Sequence, residues 1–252
     1  MSSPRSLSEL RADHTPEAVE RRLSRGPQDS YVRDFVYGAI DGAVTTFAVV
    51  SGVAGAGLAS GIILILGVAN LLGDGFSMAA SNFLAVRAEG QRRDRLRRLE
   101  EAHIAQHPEG EREEIRQIFR EKGFIEADLE RVVGIITSDR RRWVETMLTE
   151  EYGLALRTPS PWRAALATFS AFLLVGAIPL APFLLEWFAG GAPNPYLWST
   201  LFTGLAFFFV GALKGRFVEH SWYVSGAESL AVGGAAAGLA YAAGAVLGGW
   251  VG

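Results

Sequence analysis

The sequence predicts an all-α polytopic membrane protein: five transmembrane helices, with a cytoplasmic helical insert between spans two and three. Three observations carry this. Five stretches are apolar over spanning length, roughly 35–58, 61–86, 162–188, 196–213 and 223–251, where a span needs about 20 residues. Between the second and third lie about 75 residues, rich in charge, whose apolar positions recur at helical spacing. Every lysine and arginine falls outside the spans or, for Arg163, at the opening of the third, on segments that five alternating crossings place on one face. The chain divides into an N-terminal arm (1–33), spans one and two (34–87), the insert (88–160) and spans three to five (161–252).

Residues 1–30 are polar with no apolar core, so no cleavable signal peptide is expected. A short helix fits about 15–24. The first span carries Asp41 near its start, and the second carries Asp74 near its middle. A charge at the centre of a spanning helix costs roughly 2.5–3.5 kcal/mol even on the lenient insertion scale. Such residues turn toward a partner or a wet cavity, and the default reading is a cation or proton site. Asn70, Asp74, Met78 and Asn82 are spaced by four on the second span, one slowly winding polar stripe flanked by Ser77 and Ser81, and its Asn70 carbonyl, Asp74 carboxylate and Met78 thioether suit a transmembrane metal site with Asp41. Gly38 and Gly42 make a face of small residues beside Asp41, and small residues let helices approach closely in lipid. That predicts a tight contact with Asp41 facing the Asp74–Met78 stripe. Other readings stay open: a lone Met usually fills a core, and Asn70 and Asn82 suit interhelical hydrogen bonds. The fifth span is mostly Ala and Gly and holds Glu228.

In the insert a helix can run on from the second span through AEGQRRDRLRRLEEAHIAQH until Pro108 and Gly110 break it. Helices at about 111–121, from Glu126, and at about 139–152 follow. Ile115, Ile118, Phe119, Leu129, Val132, Val133, Ile136, Trp143, Met147 and Leu148 fall at helical spacing and predict one shared core. Glu100, His103 and His107 lie at i, i+3 and i+7 on one face, and Glu-x-x-His recurs in carboxylate metal bundles. Glu111 and Glu114 share a face of the next helix, and Met147, Glu150 and Glu151 close the last. Carboxylate, imidazole and thioether together suit a borderline divalent metal such as iron(II) or manganese(II). Glutamate is also common on solvated helix faces.

The arm holds six basic residues, the segment from Arg87 to Arg163 sixteen, and the connection after the fourth span Lys214 and Arg216, which is every basic residue in the chain. The positive-inside rule makes that face cytoplasmic, with the N-terminus inside and the C-terminus outside. Arginine outnumbers lysine 22 to 2, a codon signature of a GC-rich bacterial genome and so of a bacterial inner membrane. No cysteine is present, which removes disulfides and thiolate ligands.

The runs RDFVYGAIDGAVTTFAVVSG and ANLLGDGFSMAASNFLAV, followed by the charged insert, resemble the vacuolar iron transporter family, related to yeast vacuolar iron and manganese transporters. The resemblance covers roughly residues 30–252. It implies export of iron(II) or manganese(II) from the cytoplasm in exchange for protons, by a homodimer in the lipid bilayer. It implies that Asp41 and Met78 bind metal in the membrane. Plant members carry a Glu eight residues before that Met, where this chain has Asn70, with Asp74 four residues later. In the insert the resemblance implies Glu100, Glu101, Glu111, Glu114, Met147 and Glu151 as ligands, with His103 an addition.

Two other classes compete. An intramembrane aspartyl protease needs paired aspartates, but its YD and GxGD strings are AID and LLGD here. A ferritin-like metal oxidase needs a second Glu-x-x-His pair, which is missing. No nucleotide-binding loop is present, so ATP drive is not expected. Neither a nucleic-acid partner nor a resident cofactor is expected, the metal being transported.

Overall fold

A computed structural model describes residues 6–25, 31–190, 194–217 and 221–251. Arg5 and part of the arm predicted as a separate segment lie outside the described residues. Those residues form helices and connecting turns, with no strand among them. In chain order the helices are α1 (Leu7–Asp13), α2 (Pro16–Arg25), α3 (Val32–Gly55), α4 (Ser60–Gln106), α5 (Pro108–Glu121) and α6 (Glu126–Thr137). They continue with α7 (Arg140–Glu150), α8 (Pro161–Gly176), α9 (Ala181–Ala189), α10 (Pro195–Phe217) and α11 (Trp222–Val251). Five helical segments are long and apolar enough to cross a membrane. The chain separates into two compact units, 1–83 with 162–252, and 84–161.

In the first unit α3 is the most enclosed span and α11 the least. Ala43, Phe47, Val50 and Val53 of α3 meet Ile63 and Leu71 of α4, Phe172 of α8, Phe207 of α10, and Leu180 and Phe183. Glycines set how closely the helices approach. A methyl group at Gly38 would sit 2.3 Å from the Thr168 carbonyl oxygen, and one at Gly42 would sit 2.5 Å from that of Phe172. Near the other end of α3, one at Gly55 would meet the Tyr241 carbonyl at 2.2 Å, and one at Gly244 the Gly52 carbonyl at 2.0 Å. The Gly38–Gly42 face therefore packs on α8, not on the polar stripe of α4 as the spacing suggested.

The third span is not one regular helix. α8 ends at Gly176, and the chain passes through a 3-10 turn at Ile178–Leu180 before α9 begins. Pro179 and Pro182 cannot donate the backbone bonds that a straight helix would require there. The Gly190 backbone, at φ 70°, then closes α9 in the left-handed conformation. Trp162, Trp187, Trp198, Trp222 and Trp250 are all exposed and all lie at the ends of spanning segments. That is where an indole's apolar body and polar N–H both find suitable surroundings.

In the second unit all ten apolar positions marked by periodicity enter one core, Ile115, Leu129, Val133, Ile136, Trp143, Met147 and Leu148 fully and Ile118, Phe119 and Val132 partly. Ile104 from α4 and Val144 join them. α5 starts at Pro108, three residues earlier than the sequence suggested. Proline at the first helical position loses only an N–H that has no helical partner. His107 becomes the residue capping α5 rather than the last ligand of α4. Asp139 caps α7 by accepting from the Arg142 N–H at 2.7 Å.

Candidate metal sites

Each unit holds one group of chemistry-bearing side chains. In the first unit Asp41 is partly buried on α3. Thr45, one turn on, spends its hydroxyl on the Asp41 main-chain oxygen at 2.9 Å, so the Asp41 carboxylate is left out of that bond. Asn70 of α4 donates to the Thr45 and Thr46 hydroxyls at 3.3 and 3.2 Å. That fastens α4 to α3 next to Asp41, and makes Asn70 a tie between helices. Asp74 is exposed on α4 in the single chain. Met78 is partly buried and packs against the core cluster. Lys214, a possible counter-ion for Asp74, instead lies 4.0 Å from Glu228.

Sequence reasoning missed a further carboxylate in this unit. Asp34 is 8 % exposed. Asn82 donates to its Oδ1 at 3.0 Å and to the Thr168 hydroxyl at 2.8 Å, joining α3, α4 and α8. Asp34 precedes the apolar stretch and so reads as a flank. The available signal was its distance of seven from Asp41, two turns along the same helix face.

In the second unit α4 supplies Glu100 and His103, and α5 supplies Glu111. One ligand atom from each lies within 4.8 Å of the other two. His103 Nδ1 is 3.3 Å from Glu111 Oε1 and 4.0 Å from Glu100 Oε1. Glu100 and Glu111 are only 1 % and 5 % exposed. Tyr152 donates its hydroxyl to Glu100 Oε1 at 2.8 Å, while Oε2 of both glutamates is buried without a partner. Burying an ionised carboxylate without compensation is strongly unfavourable. A divalent cation between the two glutamates would supply that compensation, with His103 open to solvent beside it.

Burial first, then the Glu100, Glu114 and Glu151 carboxylates, push the Glu111 carboxyl up to about 7. Burial and then Glu100 raise Glu151 as well. The Glu114 and Glu151 carboxylates therefore lie near enough to act on Glu111, while Met147 is fully buried in the insert core. Glu101 and Glu150 are not brought in. The Glu101 carbonyl accepts from Arg140 at 3.0 Å, and the Glu150 carboxylate pairs with Lys122.

The raised Glu111 value sets a pH dependence. The folded protein holds this proton more tightly than the unfolded chain, whose carboxylate titrates near 4.5. The resulting stability is complete below 4.5 and is lost as pH rises through about 7. Metal-free protein is therefore expected to melt at a lower temperature at about pH 8 than at about pH 5.5, and Glu111→Gln to flatten that slope. A parental slope unchanged by Glu111→Gln would assign the dependence elsewhere.

Aspartates on two spanning helices, with a carboxylate-rich helical module in the same chain, fit a polytopic membrane protein of the transporter class. The VIT family profile matches residues 32–245. A vacuolar iron transporter from Toxoplasma gondii is 32 % identical over 95 % of this chain and 80 % of its own length. Vacuolar iron transporter 1 of Oryza sativa is 30 % identical over 88 % and 86 %. That of Arabidopsis thaliana is 30 % identical over 83 % of each. The chain belongs to the VIT family.

Proposed function

We propose that the protein exports iron(II), and also manganese(II), from the cytoplasm in exchange for protons. The observation that carries the reading is Asp41, a partly buried carboxylate inside a spanning helix, one turn from the Thr45 hydroxyl that Asn70 ties to α4. The names of the relatives supply iron. Met78 supplies a thioether, which iron(II) accepts and magnesium and calcium gain little from. Asp41, Asp74 and Met78 form the membrane site, with Asn70 positioning it. The insert gathers metal through Glu100, His103, Glu111, Glu114, Met147 and Glu151.

The working form is a homodimer in the bilayer. Asp74, Ser77 and Ser81 are exposed on α4 within its spanning part, and leaving such groups in hydrocarbon is costly. A second copy laid against α4 covers them. The basic residues place the N-terminus and the insert in the cytoplasm and the C-terminus outside, and the arginine bias favours a bacterial inner membrane.

The test is iron(II) flux into sealed vesicles containing the purified protein. Accumulation is expected to follow an imposed pH gradient and to collapse with it. Flux indifferent to the gradient would remove proton exchange. In the same vesicles Met78→Leu conserves volume and deletes the sulfur. It is expected to slow iron(II) roughly tenfold and to weaken rejection of magnesium. Equal iron flux and intact selectivity would leave Met78 as core packing alone.

A further inference from the structure

Tyr152 is the one neutral side chain that holds a carboxylate of the insert's acidic group, and its placement is built into the chain. α7 ends at Glu150, and the next two N–H groups, of Glu151 and Tyr152, both turn back to the Met147 carbonyl, at 3.0 and 3.4 Å. Gly153, at φ 63°, takes the left-handed conformation, and Leu154 N–H closes on the Leu148 carbonyl at 2.9 Å. This is a glycine-terminated helix end with a hydrophobic residue folded back after it. It packs the Tyr152 ring against the insert core and points the hydroxyl at Glu100.

The hydroxyl has a specific consequence. Glu100 is 1 % exposed, so water does not orient it. The 2.8 Å bond from Tyr152 occupies Oε1 and leaves Oε2 buried and unpartnered. One O–H from just beyond the end of α7 thus orients a carboxylate of α4. A donor behind a ligating carboxylate fixes which oxygen faces the metal and how readily the ligand set closes.

We propose that Tyr152 is a positioning residue for metal capture by the insert, acting through Glu100 without touching the metal. The inference rests on the reading of the insert as a metal-binding module. A phenylalanine would fill the same core space, so packing accounts for the ring and leaves the hydroxyl to orient Glu100.

The experiment uses the full chain in detergent with Asp41→Asn added to silence the membrane site, and cobalt(II) as the probe. Cobalt's visible bands report coordination geometry as well as occupancy. Tyr152→Phe is expected to weaken cobalt affinity about ten- to hundredfold and to alter the spectrum of the ion that still binds. In protein that already carries Glu100→Gln, Tyr152→Phe is expected to add no further loss, since the two act as a unit. This second arm also serves if the single variant folds poorly, because Gln replaces the buried charge that would lack a partner. Unchanged affinity and spectrum in Tyr152→Phe would overturn the proposal, as would losses that simply add in the double variant. Failure of the Asp41→Asn parent to bind cobalt at all would overturn the metal-binding reading of the insert, and this proposal with it.

Discussion

Asp41→Asn abolishes transport while leaving a folded protein. The substitution keeps the shape of the side chain and removes its charge. The bond that Thr45 makes in this turn goes to the main-chain oxygen of Asp41, not to the carboxylate, so it survives the change. The glycine contacts of α3 with α8 lie at Gly38 and Gly42 and are equally untouched. On the proposed function the variant loses the negative charge that would attract a divalent ion, and the group that would take a proton when the ion leaves. Changes in groups that merely support a metal ligand cost ten- to hundredfold, so flux in vesicles should fall by at least about a hundredfold. The elution profile of the purified variant should match the parent. Normal flux from well-folded Asp41→Asn protein would end the assignment.

Gly42→Val removes the folded protein itself. The atoms that a Cβ at Gly42 would meet are the oxygen, Cα and carbonyl carbon of Phe172, at 2.5, 2.9 and 3.0 Å. All three are backbone, so no side chain can swing aside and the helices must separate. Overpacking costs about 1–3 kcal/mol where neighbours can adjust, and more here because α3 contributes to the core on several sides. Even Gly42→Ala should lower the melting temperature by several degrees, and Gly38→Val with Gly42→Val should yield no monodisperse protein. Gly134→Ala is the control. Nothing lies within 4 Å of that position on α6, and removing a helical glycine there should stabilise by about 0.5–1 kcal/mol. Gly42→Val that purifies and melts like the parent would contradict the close approach of α3 and α8.

The spans and the insert core were legible because periodicity and apolar length report burial directly. What spacing could not convey was the partner of each face. Gly38 and Gly42 announce a close contact, but a stripe of small residues does not say which helix fills it, and α8 rather than α4 does. Neighbouring glutamates posed a different difficulty. Glu100 and Glu101 are one residue apart in sequence and about 100° apart around a helix, so only the fold separates the buried ligand from its neighbour. The same holds for Glu150, taken by Lys122, and Glu151, which faces the acidic group. Tyr152 escaped because an aromatic at a helix end reads as core, and its hydroxyl acts on a residue 52 positions away. Pro179 and Pro182 were visible from the start, and their effect on the third span follows from chemistry that hydropathy ignores.

The contacts of α3 and α4 differ in kind, and this bears on how such a protein moves. Along α3 the near atoms at Gly38, Gly42 and Gly55 are carbonyl groups of α8 and α11. Rotating or sliding α3 would drive backbone into backbone. On α4 the glycines Gly67 and Gly75 meet only side chains, the Leu180 methyls and the rings of Phe169 and Phe172. Those can change rotamer as the helix shifts. Asp41 is thus mounted on the more tightly seated helix, while Asp74 and Met78 ride on one whose glycines meet side chains and which Asn70 and Asn82 hold by hydrogen bonds. On the proposed function, a cycle that opened Asp41 first to one side of the bilayer and then to the other would fall to α4, with side-chain repacking as its bearing surface and those amide bonds as what must be broken.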